Sequence, residues 1–140
     1  MLFNDFQRVY YFPDGVIGYP QFRYFYLFQS VGDSPYYYLI SLEQQGLFFL
    51  LLNPHIVLYE YDIALTAEEK DKIDLISPDD LELFVLVSIP DEIELISLNL
   101  RMPLFINRYN RWGGQKILQD HYPVKFYLFY EINDLKKKLV

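Results

Sequence analysis

The chain has 140 residues, with 12 basic and 19 acidic side chains, no cysteine, and 52% apolar and 19% aromatic residues. This length and apolar content predict one folded domain over residues 1–140, with a tail that frays after about residue 133. The lack of Cys excludes disulfides and thiolate metal sites, and the net charge of −7 argues against direct binding of nucleic acid or of an anionic membrane.

The chain start and the hydropathy pattern indicate a cytoplasmic protein. No apolar run approaches the roughly 18 residues of a membrane helix. The first residues, Met1–Asp5, lack the basic start, apolar centre and small-residue cleavage site of a signal peptide.

Short runs of aromatic and branched residues, separated by turn residues, predict strands along most of the chain. The run Leu47–Leu52 is apolar on both faces, so we expect it in the centre of the sheet. Together the runs predict an all-β, mainly antiparallel domain, barrel-like or sandwich-like and compact. The predicted strands are Arg8–Phe12, Tyr24–Gln29, Tyr36–Ser41, Leu47–Leu52, Val57–Asp62, Leu81–Ile89, Glu94–Leu100, Leu104–Asn107, Gln115–Gln119 and Val124–Ile132.

One short surface helix interrupts the strands. Thr66-Ala67-Glu68-Glu69 has the spacing of a capping box, in which the first and fourth residues exchange side-chain to backbone hydrogen bonds. We expect the helix over Ala67–Leu75, because Ser77-Pro78 stops it.

The sequence offers little catalytic chemistry. His55 and His121 stand apart and have no metal-ligand spacing, and the turn Gly15–Gly18 lacks the Lys-Ser/Thr ending of a phosphate loop. The acidic pairs Asp79-Asp80 and Asp91-Glu92 are adjacent to prolines and are typical of turns. We therefore predict no enzyme activity, no metal and no cofactor, and a small hydrolase or sugar-binding enzyme stays a weaker alternative.

The stretch Arg108–Trp112 is the one basic segment with interleaved aromatic residues. Such a pattern can stack on single-stranded nucleic acid. The acidic remainder of the chain favours the alternative, a hairpin tip formed by this stretch and Gly113-Gly114.

Aromatic and acidic residues point to a protein-binding role instead. The chain has 14 Tyr and 12 Phe, too many for the core of so small a domain. Alternation along strands should expose part of Tyr36–Tyr38 and of Tyr59–Tyr61, and exposed tyrosine is favoured at protein interfaces. Twelve carboxylates against two lysines between Glu60 and Glu94 form an acidic segment that either attracts a basic partner or only keeps the domain dissolved.

Five blocks of the sequence carry motifs that follow one another in order. The most specific block is Asn99–Asn107, which has the pattern Asn-Leu-x-x-Pro-[Ile/Leu]-x-[Ile/Val]-Asn. The others are a glycine turn, an acidic-Ser-Pro segment, an Asn-Pro followed by a Tyr-Glu strand, and a glycine-led strand. They lie at Asp14–Tyr19, Asp33–Tyr36, Asn53–Asp62 and Gly113–Leu118. In this order the five blocks resemble the flagellar assembly factor FliW family.

The resemblance implies a non-catalytic regulator with two protein partners. One is the RNA-binding translational repressor CsrA, and the other is flagellin. While flagellin is being made, it would occupy this protein. After flagellin is secreted, the free protein would capture CsrA, and flagellin mRNA would be released from repression. A β-barrel interaction module of another kind remains an alternative.

Two residue sets follow as site predictions. The partner-binding set lies in the matched blocks and comprises Tyr36, Tyr37, Asn53, Pro54, Tyr59, Tyr61, Leu98, Asn99 and Leu100. The acidic set, expected to steer association, comprises Glu60, Asp62, Glu68, Asp71, Asp79 and Asp80.

Overall fold

The computed structural model describes residues 9–29, 32, 34–119 and 121–129, and eight strands and one α-helix occur in these ranges. The helix α1 spans Ala67–Lys72. The strands are β1 (Val9–Tyr11), β2 (Tyr24–Gln29), β3 (Tyr36–Ser41), β4 (Phe48–Leu52), β5 (Leu81–Ser88), β6 (Ser97–Asn107), β7 (Trp112–Gln115) and β8 (Phe126–Tyr127). Short 3₁₀ turns lie at Pro54–Ile56, Pro78–Asp80 and Ile93–Leu95.

Seven of these strands close into a barrel. The order β5-β4-β3-β2-β1-β7-β6 is completed by pairing of β5 with β6, and β8 pairs with β6 outside the ring. All pairings are antiparallel except β1 with β7, which is parallel and has one register pair, Tyr11↔Trp112. The predicted all-β class with one short helix is confirmed.

The barrel interior is a single apolar core. Alternate residues of the strands point into it, so every second side chain is removed from water. The fully or nearly fully buried members are Phe12, Val16, Phe25, Leu27, Leu39, Leu51, Phe84, Leu104 and Ile106.

Two smaller clusters cover part of the barrel's outer surface. The first lies between β5, β6 and an arm formed by residues 53–63, with Leu52, Tyr61, Val85, Leu98 and Leu100 buried. The second lies under α1, with Ile73, Leu83 and Phe105 buried. These clusters explain why β5 and β6 are apolar on both faces.

A bulge in β6 merges two of the predicted strands. Glu94–Leu100 and Leu104–Asn107 were separate predictions, but Ser97–Asn107 is one strand. Phe84 of β5 pairs with Leu104 of β6, and Leu86 of β5 pairs with Asn99 of β6, so β6 has extra residues between these two pairs. The extra residues of β6 bulge outward, and Pro103, which lacks an N–H, is tolerated there.

Three other predicted elements are wrong in extent or type. Val57–Asp62 is not a strand: it follows the 3₁₀ turn Pro54–Ile56 and runs as turns and coil. The strand predicted at Gln115–Gln119 is instead β7, Trp112–Gln115; residues 116–119 are not strand, although the amides of Lys116 and Leu118 donate to the carbonyls of Pro103 and Arg101 in β6. Of Val124–Ile132 only Phe126–Tyr127 is strand, and residues 130–132, like Arg8 of the first predicted strand, lie outside the described residues.

The strand Leu47–Leu52 is central but only partly covered. β4 lies between β3 and β5, and Leu51 and Leu52 are buried. Phe48 at its other end is 55% exposed, so the expected cover on both faces is missing there.

The helix begins where predicted and ends earlier. The capping box is present: Thr66 Oγ1 accepts from the Glu69 amide at 3.1 Å, and Glu69 Oε1 accepts from the Thr66 amide at 2.8 Å. The helix ends at Lys72 rather than Leu75, because Ile73 leaves helical geometry and Asp74 adopts a left-handed backbone with φ of 52°. The side chain of Asn107 satisfies the freed carbonyls of Ile73 and Asp74 at 3.0 and 3.2 Å.

Gly113 and Gly114 lie in β7 and not at a hairpin tip. The register pairs Ile106↔Gly113 and Phe105↔Gly114 place them in the sheet, and the turn is formed by residues 108–111. A Cβ on Gly113 would lie 2.6 Å from the Phe12 ring, and a Cβ on Gly114 would lie 2.7 Å from the Phe105 ring. The glycines are there because two phenyl rings occupy the space of their missing side chains.

We expect Gly113→Ala to lower the free energy of unfolding by about 1–3 kcal/mol, the usual cost of overpacking a core. Urea denaturation would measure it. The matched control is the double variant Gly113→Ala/Phe12→Leu, compared with Phe12→Leu alone. If the ring clash is the cause, the Gly113→Ala penalty shrinks in the Phe12→Leu background; an equal penalty in both backgrounds would contradict it.

Candidate protein-binding surface

The outer surface of strands β1–β4 and β7 is an apolar sheet face. Because Phe25, Leu27, Leu39 and Leu51 point into the barrel, the residues between them point outward. We call this outward set the aromatic face; it comprises Tyr11, Tyr24, Tyr26, Phe28, Tyr38, Ile40, Phe48, Leu50 and Trp112.

Ring contacts link the members of the aromatic face across neighbouring strands. At one end the Tyr11 ring lies 5.0 Å from the Tyr24 ring and 5.4 Å from the Trp112 ring. At the other end the Tyr38 ring lies 6.4 Å from Phe28 and 5.9 Å from Phe48. Tyr24, Phe28, Ile40, Phe48 and Trp112 are each exposed by more than a third.

The aromatic face carries no charge. None of the four segments β1, β2, β3 and β4 contains an Asp, Glu, Lys or Arg. A contiguous exposed apolar surface on a small domain is typical of a protein-binding site, because it would otherwise favour aggregation. This surface is the best candidate in the described structure for contact with a partner.

The predicted residues of β3 divide between the two faces. The Tyr37 ring points inward and lies 5.1 Å from the Phe84 ring, while Tyr36 packs against the cluster under the arm. All three tyrosines of the triplet are partly buried, and Tyr38 is the one that belongs to the aromatic face.

The arm of residues 53–63 exposes one predicted tyrosine and buries the other. Asn53 Oδ1 accepts from the His55 amide at 2.9 Å and so caps the 3₁₀ turn, in which Pro54 is buried. Tyr59 is 91% exposed. Tyr61 is 3% exposed, and its hydroxyl donates to the carbonyl oxygen of Leu100 at 2.6 Å.

Burial changes the chemistry of Tyr61. Removal from water, together with the nearby Tyr122, raises the pKa of Tyr61 above its usual value. The Tyr61 ring contacts the Tyr122 ring edge-on at 5.2 Å. Tyr61 therefore anchors the arm to the barrel and offers no side chain to a partner in this conformation.

The predicted residues of β6 lie mostly in the core. Leu98 and Leu100 are buried against the arm. Asn99 is partly exposed, and its Oδ1 accepts from the amides of Arg101 and Met102 at 3.2 and 3.1 Å. The structure thus places Leu98 and Leu100 as packing residues and Asn99 as the residue that satisfies the bulge.

The acidic set lies on the surface, on elements other than strands β1–β4. Glu60 and Asp62 are in the arm, Glu68 and Asp71 are on α1, and Asp79 and Asp80 are in the Pro78–Asp80 turn. The first five are exposed, and Asp80 is partly exposed. The carboxylates of this set therefore lie on the arm, on α1 and in the Pro78–Asp80 turn, and none of them lies on the aromatic face.

The ion pairs of α1 involve other residues. Lys116 Nζ contacts Glu69 Oε1 at 2.7 Å, and Lys72 Nζ contacts Asp14 Oδ2 at 2.9 Å. Partial burial of Glu69 acts to raise its pKa, but hydrogen bonds from Lys116 and Thr66 outweigh it, so the pKa of Glu69 lies below its usual value. Two of the carboxylates are thereby neutralised locally.

A cavity of about 250 Å³ lies between the Pro13–Gly18 turn and α1. Its polar lining is already engaged: besides the two ion pairs, Gln115 Oε1 accepts from the Ile17 amide at 2.7 Å and Gln115 Nε2 donates to the Met102 carbonyl at 2.9 Å. The side chains that line it therefore hold the turn to the barrel.

Metal and histidine chemistry has no obvious site in the described residues. Within them, no group of three or more His, Cys, Asp or Glu side chains is arranged to hold a metal ion. His55 Nε2 lies 2.7 Å from the carbonyl oxygen of Tyr61, and His121 stacks beside Tyr122 at 4.2 Å. Among the described helices, none is long and apolar enough to cross a membrane.

Sequence reasoning missed most of the aromatic face. Tyr11, Tyr24, Phe28, Phe48 and Trp112 lie on four different strands, and only the sheet order brings them together. The lack of charged residues in the first four strands was a signal of this face. It could be interpreted only once the pairing order of those strands was known.

Comparison with known proteins identifies the class. The profile described as FliW protein matches residues 3–128. A flagellar assembly factor FliW of Caldicellulosiruptor bescii is 29% identical over 133 residues, covering 94% of this chain and 87% of that protein. The FliW of Treponema denticola is 35% identical over 107 residues, covering 76% of this chain and 72% of that protein.

The fold agrees with that class. A crystal structure of the flagellar assembly factor FliW superposes with a TM-score of 0.80 at 27% identity, covering 87% of this chain and 86% of the other. Barrel, short helix and sequence together place the chain among flagellar assembly factors. It belongs to the FliW family.

We expect Tyr61→Phe to destabilise the protein by about 1–3 kcal/mol, because it leaves the buried Leu100 carbonyl without its donor. Urea denaturation measures the loss, and Tyr59→Phe, at an exposed position, is the matched control with no expected change. The raised pKa of Tyr61 adds a pH signature. The folded state retains the Tyr61 proton, so its contribution is full below the ordinary tyrosine pKa of about 10 and is lost as pH rises above it. The decline above about pH 10 should be shallower in Tyr61→Phe; an equal slope would contradict the assignment.

Proposed function

We propose that this chain is a non-catalytic cytoplasmic regulator that binds the translational repressor CsrA and flagellin in alternation. While flagellin accumulates in the cell, flagellin occupies the protein. After flagellin is secreted, the free protein captures CsrA and relieves repression of flagellin mRNA. Family membership supports the flagellar role, and the uncharged aromatic face is the observation that supports protein binding.

The two surfaces suit two kinds of contact. The aromatic face offers rigid rings that are costly to leave in water, so burying them supplies affinity. The acidic set lies at the surface, so it acts at longer range on the rate of encounter with a basic partner. An acidic body bound to an RNA-binding protein also raises the electrostatic cost of bringing phosphate near.

Substitution in the aromatic face tests the apolar contact. We expect Tyr38→Ala and Phe48→Ala each to weaken binding of CsrA or flagellin at least tenfold, as measured by isothermal titration, because central aromatic anchors dominate interface energies. Tyr59→Ala tests the exposed member of the predicted partner-binding set. Ile76→Ala is the control, since Ile76 is 89% exposed but lies beyond the aromatic face. Unchanged affinity for both partners in folded Tyr38→Ala and Phe48→Ala would overturn the assignment.

Charge reversal tests the acidic set. We expect the triple variant Glu68→Lys, Asp71→Lys and Asp79→Lys to slow association with CsrA and to flatten its salt dependence, because the field of surface charges extends about 8 Å at physiological ionic strength. Dissociation should change little. Stopped-flow mixing at two salt concentrations gives both rates, and the neutral triple variant with Gln, Asn and Asn should fall between. An unchanged association rate and salt slope would leave solubility as the role of these residues.

A further inference from the structure

The ladder between β4 and β5 stops halfway along β4. These strands pair only through Leu51↔Leu86 and Leu52↔Val85. β4 nevertheless continues to pair with β3 as far as Phe48↔Ile40, and β5 continues to pair with β6 as far as Ser88↔Ser97. The first three residues of β4 therefore form a strand edge within an otherwise closed barrel.

The backbone groups at this edge point away from β3. The Ser41 amide donates to the Leu47 carbonyl at 2.9 Å, so alternate residues Phe49 and Leu51 also face β3. The N–H and C=O groups of Phe48 and Leu50 consequently face the β5 side. In the described part of the chain, no residue of β5 is in register with either of them, but the Leu51↔Leu86 pair is a non-hydrogen-bonded pair, which requires the Leu50 carbonyl to accept from the amide of Val87. The N–H and C=O of Phe48 and the N–H of Leu50 are therefore the groups without a partner in this ladder.

A groove of about 540 Å³ lies along this edge. Its walls are apolar: the Tyr38 and Phe48 rings and Leu50 on one side, and the end of β5 with Ile89 on the other. The chain then continues through Asp91, Glu92 and Glu94, all exposed. An apolar groove with unpaired strand groups along one wall thus has an acidic end.

We propose that this groove binds an extended segment of a partner protein, which adds as a strand to the Phe48–Leu50 edge. The segment has apolar residues at alternate positions and lysine or arginine at its end beside Asp91 and Glu92. The inference rests on the proposed protein-binding function and specifies its mode.

An extended occupant fits better than a helix. A helix satisfies its own backbone groups, so it would leave the N–H and C=O of Phe48 and the N–H of Leu50 unpaired in a buried contact. An added strand pairs them, and its alternate side chains fall into the groove between the Phe48 ring and Ile89. The acidic end selects a basic flank by charge complementarity.

A synthetic peptide tests main-chain recognition directly. The probe is a ten-residue peptide with a central run of alternating Val and Thr and two lysines at each end, added to the full-length protein. We expect saturable binding and at least tenfold slower amide hydrogen exchange at Phe48 and Leu50. Two further peptides carry N-methyl groups, one peptide at the first, third and following alternate residues and the other peptide at the residues between them. N-methylation keeps the side chains but removes the backbone N–H donors. At least one should lose binding tenfold or more.

A pair of variants makes the same test on the protein. Phe48→Ala and Phe48→Pro both remove the ring, but only proline removes the N–H that faces the groove, and the ladder to β3 does not use that N–H. We expect Phe48→Pro to bind the peptide about three- to tenfold more weakly than Phe48→Ala, the loss of one hydrogen bond. Circular dichroism and urea denaturation confirm that both are folded.

Several results would overturn the inference. These are equal affinity of both methylated peptides and the parent, no peptide binding, or equal affinity of the two Phe48 variants. A concentration-dependent dimer whose Phe48 and Leu50 amides are already protected would show that a second copy occupies the edge. Binding of CsrA and flagellin to the wild-type protein is measured separately, so failure of the peptide test leaves the proposed function standing, and failure of both partners to bind refutes it.

Discussion

The bulge in β6 is the constraint on which the outer half of the molecule depends. Asn99 stabilises it, because its side-chain oxygen accepts hydrogen bonds from the backbone amides of Arg101 and Met102. The displaced segment then exchanges hydrogen bonds with other parts of the chain. Tyr61 donates to the Leu100 carbonyl, Leu118 to the Arg101 carbonyl and Lys116 to the Pro103 carbonyl, while the Leu100 amide donates to the Pro123 carbonyl. The bulge in β6 thus attaches both the arm and the segment that follows β7 to the barrel.

This arrangement divides the barrel surface into two unlike halves. Around β5 and β6 the outside is covered by the arm and by α1, each with its own small apolar cluster. Around β1–β4 the described chain leaves the outside open. The charged residues follow the same division, since the covering elements present the carboxylates and the open strands present rings. One small domain thus presents two physically different surfaces.

Local patterns were sufficient for much of the fold. The capping box at Thr66 and most of the strands follow from signals within about ten residues, and the structure confirms them. The failures arise where distant contacts decide. Gly113 and Gly114 are turn residues by local preference, but the Phe12 and Phe105 rings require them in a strand. Tyr59 and Tyr61 alternate as on a strand, but the hydrogen bond of Tyr61 to Leu100 anchors an irregular arm instead.

The sequence predicted that the protein has a binding surface, but not which residues form it. Excess tyrosine predicted a binding surface, and the family blocks drew attention to the Asn99 segment. Those blocks mark residues that build the barrel as well as residues that contact a partner, and sequence alone does not separate them. Leu98 and Leu100 are in the blocks because they fill the space beneath the arm. Tyr38 and Phe48 require the sheet order before they can be recognised as neighbours.

An uncharged face opposite a carboxylate-rich one also sets the colloidal behaviour of the protein. At neutral pH the net charge of −7 keeps molecules apart, so the rings rarely meet in solution. The repulsion vanishes near the isoelectric point of about 4.7, while the apolar attraction between the faces does not depend on pH. Mild acid therefore favours contact between copies of the protein through the aromatic face.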